Sequence, residues 1–161
     1  MFATQWAVEP LQRLTRRQVD ALQAVARAES VDRGASLKSV ARSLGIRPPT
    51  ALPHVAALET MGLLVRRSGK SRLTTTGRRC LVEYQRHHRV AETLFSEAGF
   101  SPEASCQAAR EVDLALSHRT VESVCQVESH PRVCPHGAPI PPCHSSKDAD
   151  RVGPTDSKMT R

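Results

Sequence analysis

Residues 72–92 read RLTTTGRRCLVEYQRHHRVAE, and the way this stretch is taken decides the fold. It opens with polar, β-branched and glycine residues and turns helical at about Gly77. Leu81, Tyr84, His88, Ala91 and Phe95 recur at steps of three and four, which marks one buried face. His88 then points inward, and Glu92 stands beside it one turn on. An imidazole and a carboxylate at that spacing form half of a divalent-metal site. They equally form a core histidine satisfied by its neighbour. The stretch alone favours the plainer reading, because a metal needs ligands from elsewhere in the chain.

Just upstream, LLVRR (63–67) and SRLTT (71–75) are strand-like and flank SGK at Ser68 to Lys70. A glycine-containing hairpin carrying Arg66, Arg67, Lys70 and Arg72 makes a basic wing. Before it come three helical segments. Thr15 caps the first, with Val19, Leu22, Val25 and Ala26 as its apolar stripe and Asp20 off the stripe's centre. Ser36 caps the second, SLKSVARSLG, with Leu37, Val40, Ala41 and Leu44 inward and Gly45 as its stop. The third, TALPHVAALETMG, turns Leu52, Val55, Ala56 and Leu58 to Met61 to the core and ends at Gly62.

Helix, short helix, turn, helix, hairpin is the order of a winged helix-turn-helix. Its third helix docks in a major groove while the wing's cations reach phosphates. The exposed candidates for DNA contact are Arg47, for a guanine edge or a phosphate, Thr50, for a backbone contact or a helix cap, and His54, with Lys70 and Arg72 on the wing. Pro53 lies deep for a helix starting at Pro48 or Pro49, so that helix is expected to start late or bend.

Downstream, Ser101 and Pro102 open a helix through SPEASCQAAREVDLALS, with Cys106, Ala109, Arg110 and Asp113 on one side. Ser117 caps a last helix to about Val127. These helices are too poor in apolar residues to stand alone, so pairing with a second copy is expected. From Ser129 the composition shifts to proline, glycine, cysteine and histidine, then to a polar tail read as disordered. His130, Cys134, His136, Cys143 and His144 are candidate zinc ligands, although their spacing matches no common finger pattern. The domain reading is an arm at 1–13, a winged helix-turn-helix at 14–76, a helical dimerisation and metal-binding domain at 77–128, and a terminal segment at 129–161. The fold class is mainly α with a small β-wing.

Composition agrees with an anionic partner: the net charge is +7 and the isoelectric point is near 9.7. The aromatics are Phe2, Trp6, Tyr84, Phe95 and Phe100 alone, too few for a base-stacking platform. The five cysteines include no CxxC pair, and no secretory leader or membrane-length apolar run occurs. A reducing cytoplasm is the expected compartment, and no membrane partner is expected. No phosphate-binding glycine loop, nucleophile elbow or HExxH is present, so an enzyme is not expected.

With PPT…HVAALETMGLL, LTTTGRRCLVEYQRHHRVAETLF, ALS…VE and HPRVCPHGAPIP in place, the chain resembles the diphtheria-toxin-repressor family. These are iron- and manganese-dependent transcriptional repressors, and the likeness spans roughly residues 14–141. The resemblance implies a homodimer on a palindromic DNA operator, activated by Fe2+, Mn2+ or Zn2+. Many members carry a further SH3-like domain after the proline segment, and a short form without it is expected here. The family's ancillary metal site falls on His88, Glu92 and Cys106, where cysteine replaces the usual histidine. Its primary site falls on Asp20 and Asp113, with Leu114 and Arg110 at two further ligand positions. That departure suggests either an Arg110 guanidinium bridging Asp113 and Asp20 in place of metal, or an ordinary surface pair. A metal-handling protein with vestigial DNA binding is the alternative function.

Overall fold

The computed structural model describes residues 10–143. The expectations for residues 1–9 as part of an arm, and for His144 and the polar tail, lie outside the described residues. The chain forms two compact units that divide within one helix, after Gln85.

In the first unit, Pro10–Arg13 make a 3-10 turn that buries Leu11, so this end of the expected loose arm is anchored. Helix α1 (Arg16–Asp32) starts at a capping box in which the Thr15 side chain and Gln18 exchange hydrogen bonds. It buries Val19, Leu22 and Val25, while Ala26 is only half-buried. A two-residue strand, β1 (Ala35–Ser36), follows; the sequence pattern does not announce it. Helix α2 (Leu37–Leu44) is capped by Ser36 and stopped by Gly45 in the left-handed conformation.

Helix α3 (Pro48–Thr60) starts at Pro48 and carries Pro53 inside it. The expectation of a late start is therefore corrected: Pro48 and Pro49 occupy positions where no backbone donor is needed. Pro53 leaves the Pro49 carbonyl without its intrahelical donor. The core face is Ala51, Val55 and Leu58, whereas Leu52 is 43% exposed and Ala56 faces solvent. That corrects the expected inward set.

Strands β2 (Leu64–Arg67) and β3 (Lys70–Leu73) form the wing, in a sheet ordered β1-β3-β2. Arg67 pairs with Lys70, so the loop is Ser68 and Gly69 alone. Both have positive φ, 49° and 74°, the pattern of a tight primed hairpin turn.

Helix α4 (Thr75–Glu97) begins two residues earlier than expected, because the Thr74 hydroxyl accepts from Gly77 N at 3.0 Å. Gly77 lies against the backbone: a Cβ there would sit 2.1 Å from the Leu63 carbonyl oxygen. Arg16 reaches along to donate to the Tyr84 hydroxyl at 3.0 Å. Glu29 binds the Leu73 amide at 2.8 Å and Arg78 at 2.9 Å, fastening α1 to β3 and α4.

The second unit holds the rest of α4, helix α5 (Pro102–Val112), helix α6 (His118–Val127) and the irregular residues 129–143. Helix α5 stops earlier than the expected run to Ser117. Ser101 and Ser117 cap their helices as expected, accepting from the amides of Ala104 and Thr120. The core is Val90, Val121, Cys125, Cys134, Ile140 and Cys143. Three of those residues belong to the proline-rich segment, which is thus a structural layer. It folds back on itself through Cys134 N to Ala138 O at 2.9 Å and Ile140 N to Arg132 O at 2.8 Å. No helix among the described residues is long and apolar enough to cross a membrane.

Candidate metal centre

The second half of α4 presents His88 and Glu92 one turn apart. His88 Nδ1 lies 2.9 Å from Oδ2 of Asp113, which is fully buried at the end of α5. In the neutral ring that contact puts the proton on Nδ1 and leaves the lone pair on Nε2. Nε2 faces Glu92 Oε1 at 3.3 Å and the Cys106 sulfur at 3.5 Å. The imidazole is therefore held in an orientation that aims Nε2 at Glu92 and Cys106, as a metal ligand there needs.

Glu92 is 3% exposed. The same oxygen that faces His88 also faces His136 Nδ1 at 3.3 Å. Donor atoms of His88, Glu92 and Cys106 lie within 4.8 Å of one another, and so do those of Glu92, Cys134 and His136. One buried carboxylate thus serves two overlapping donor sets. Burial pushes the Cys106 thiol up to about 11, the neighbouring Glu92 adds to the shift, and the Arg110 charge offsets part of it.

Nitrogen, oxygen and sulfur donors together fit a divalent transition metal. The expected trio of His88, Glu92 and Cys106 is brought together. Cys134 and His136, read from the sequence only as part of a terminal zinc group, join it through Glu92. Asp113, expected as a primary-type ligand, supports His88, while Arg110 is exposed on α5 and Leu114 half-buried. Asp20 is half-buried on α1 in the first unit. His87, which lies off the apolar ladder of α4, is 1% exposed and stacks on His118 with centroids 6.0 Å apart.

On the winged unit, Arg47 and Thr50 are exposed at the start of α3 and His54 is half-buried. Arg47 precedes the helix without a side-chain cap. On the wing, Lys70 is held by Asp32 at 2.7 Å and Arg66 by Glu59 at 3.1 Å. Arg72 is half-buried, whereas Arg67 is exposed beside the turn. Lys38 and Arg42 add exposed cations on α2.

Residues 74–142 match the family model described as iron dependent repressor, metal binding and dimerisation domain. No curated protein sequence matches the chain. Among solved structures, the hypothetical protein SSo2273 from Sulfolobus solfataricus is similar at 26% identity and TM-score 0.74, over 80% of this chain and 99% of that one. A manganese-dependent transcriptional repressor in complex with manganese is 29% identical, TM-score 0.66, over 77% of this chain and 58% of that one. ScaR with bound Zn2+ is 25% identical, TM-score 0.68, over 77% and 59%. This chain thus spans about three-fifths of the length of those two metal-binding relatives and nearly all of the Sulfolobus protein. The resemblance to the diphtheria-toxin-repressor family, carried by the sequence, holds in both comparisons.

Proposed function

We propose that the chain is a metal-responsive, DNA-binding transcriptional regulator, acting in the cytoplasm as a homodimer that represses by covering a palindromic operator. The observation that carries this reading is the Glu92 cluster, with His88 already turned by Asp113 to offer Nε2. His88, Glu92 and Cys106 would hold the metal, with Cys134 and His136 completing or extending the set. The bound cation would supply positive charge that draws α4, α5 and residues 129–143 together, favouring one arrangement of the unit over others. Cys106 would give up its proton on ligation, so metal affinity rises with pH.

DNA contact is assigned to the first unit. Arg47 and Thr50 at the start of α3 would meet base edges or phosphates, with His54 beside them and Arg67, Lys70 and Arg72 along the backbone. A second copy would dock on exposed apolar side chains of the second unit, Leu94 and Phe100 among them, which are 44% and 47% exposed. Phe100 lies against Phe95 with ring centroids 5.6 Å apart. Two copies then set two winged helices at half-site spacing.

Selection of operators from random duplexes, run with the stripped protein and with Mn2+, Fe2+ or Zn2+ added, tests this. A recovered palindrome whose binding rises with metal is expected. Glu92→Gln should abolish the metal response while leaving salt-sensitive, non-specific binding. Metal uptake without any salt-dependent duplex shift would instead favour a metal-handling protein, the reading to which the several Cys/His clusters also lend themselves.

A further inference from the structure

We infer that Cys125, His130 and Cys143 form a separate structural site for Zn2+, fastening residues 129–143 to α6. Cys125 lies in the last turn of α6, His130 just beyond it, and Cys143 at the far end of the segment. None of the three belongs to the Glu92 cluster, and the inference does not depend on DNA binding.

Both sulfurs converge on one atom. Cys125 Sγ is 3.5 Å and Cys143 Sγ 3.3 Å from the same His130 Nδ1. All three donor atoms lie within 4.8 Å of one another. An imidazole nitrogen has one lone pair, so it cannot accept good hydrogen bonds from two thiols at once. A cation placed among the three donors removes that conflict. Tetrahedral zinc with ordinary Zn–S and Zn–N bonds separates a sulfur from a nitrogen ligand by about 3.5 Å, close to both observed distances.

The surroundings favour zinc further. Cys125 and Cys143 are 4% and 2% exposed and sit in the apolar core with Val121 and Ile140. Two thiolates, a neutral imidazole and Zn2+ sum to zero charge, a balance such a core tolerates. On binding, each thiol releases its proton to solvent and no oxidant or reductant is needed.

The backbone is held in an uncommon shape at the same place. Ser129 and His130 both have φ of +57°, and His130 N returns to the Cys125 carbonyl at 2.8 Å. Two consecutive left-handed residues other than glycine cost free energy. Here they turn the His130 ring back toward Cys125. Three protein donors leave one tetrahedral position for water or an added ligand.

The full chain is prepared reduced, stripped with chelator and titrated with Co2+, then Zn2+. The background is Cys106→Ser with Cys134→Ser, which removes the thiols of the other cluster. A thiolate-to-cobalt charge-transfer band that Zn2+ displaces is expected in the background. The band should be lost when Cys125→Ser or Cys143→Ser is added. His130→Asn, which tolerates the left-handed backbone, should weaken it and remove the zinc-induced rise in melting temperature, with helix content by circular dichroism unchanged. Absence of the band from a background shown to be folded would overturn the site. So would retention of the band in the Cys125 and Cys143 variants, or a Cys125–Cys143 disulfide in protein that takes up no zinc after reduction.

Discussion

Asp113 holds His88: a fully buried carboxylate oxygen stands 2.9 Å from Nδ1 of a ring whose other nitrogen faces Glu92 and Cys106. Ligand-orienting partners of this kind are worth about 10–100-fold in metal affinity. Asp113→Asn keeps the shape and removes the charge. It is expected to weaken Mn2+ or Zn2+ binding at the Glu92 cluster by that factor, measured by competition with a chromophoric chelator. Unchanged affinity in a folded variant would show that His88 orients itself.

Gly77 has no room for a methyl group, since its Cβ would meet the Leu63 carbonyl oxygen at 2.1 Å. In an open helix, glycine to alanine stabilises by about 1 kcal/mol. Here the sign reverses, and Gly77→Ala should destabilise the protein by about 1–3 kcal/mol through forced backbone shifts. Urea unfolding followed by circular dichroism reads this directly. A variant as stable as the parent would mean α4 lies farther from Leu63.

Arg67 and Lys70 face each other across the wing but are engaged differently. Lys70 is bound by Asp32 at 2.7 Å, whereas Arg67 is exposed. If the wing meets phosphates, Arg67→Ala should lower the slope of log affinity against log salt by about 1. Lys70→Ala should lower it less, because the Asp32 carboxylate already offsets the Lys70 charge. Equal slopes for both variants would remove the distinction.

Glu128 closes α6, and burial raises its carboxyl to about 7 from 4.5, with the nearby Glu97 charge adding to the shift. The folded protein therefore keeps a proton that the unfolded chain has released. Stability from this group is fully present below pH 4.5 and is lost as pH rises through about 7. In chelator-treated protein, Glu128→Gln should flatten stability between pH 5 and 8 and raise it at pH 8 by about 1–2 kcal/mol. Parallel urea midpoints for the two proteins across that range would contradict the assignment.

Much of this architecture is legible because its signals are local. Thr15, Ser36, Ser101 and Ser117 cap where hydroxyls precede helical patterns, and Ser68-Gly69 turns the wing. Phase within a helix is harder. Around Pro53, LPHVAAL is apolar on nearly every side, so periodicity alone did not distinguish Leu52, which is exposed, from Ala51, which is buried. His87 and His88 are neighbours a third of a turn apart. The ladder from Leu81 and Tyr84 selects His88, but burial at Cys80, Tyr84, His87 and Ala91 follows the adjoining row.

The candidate metal centre is legible only in part, for a topological reason. His88 and Glu92 announce themselves at helical spacing, whereas Cys134 and His136 arrive through an irregular fold-back with no periodicity to read. Cys125, His130 and Cys143 are spaced unlike any common finger, so only three-dimensional proximity associates them. Proline and glycine in residues 129–143 suggested open coil. Burial of Cys134, Ile140 and Cys143 makes it core instead.

Glu92 belongs to two donor sets at once, and a shared ligand makes their occupancies inseparable. Filling either set changes what the other can offer, whether the carboxylate is withdrawn or comes to bridge two ions. Saturation by Mn2+ should then depart from a sum of independent hyperbolas, broadened where one ion withdraws the carboxylate from the other and sharpened where the carboxylate bridges both.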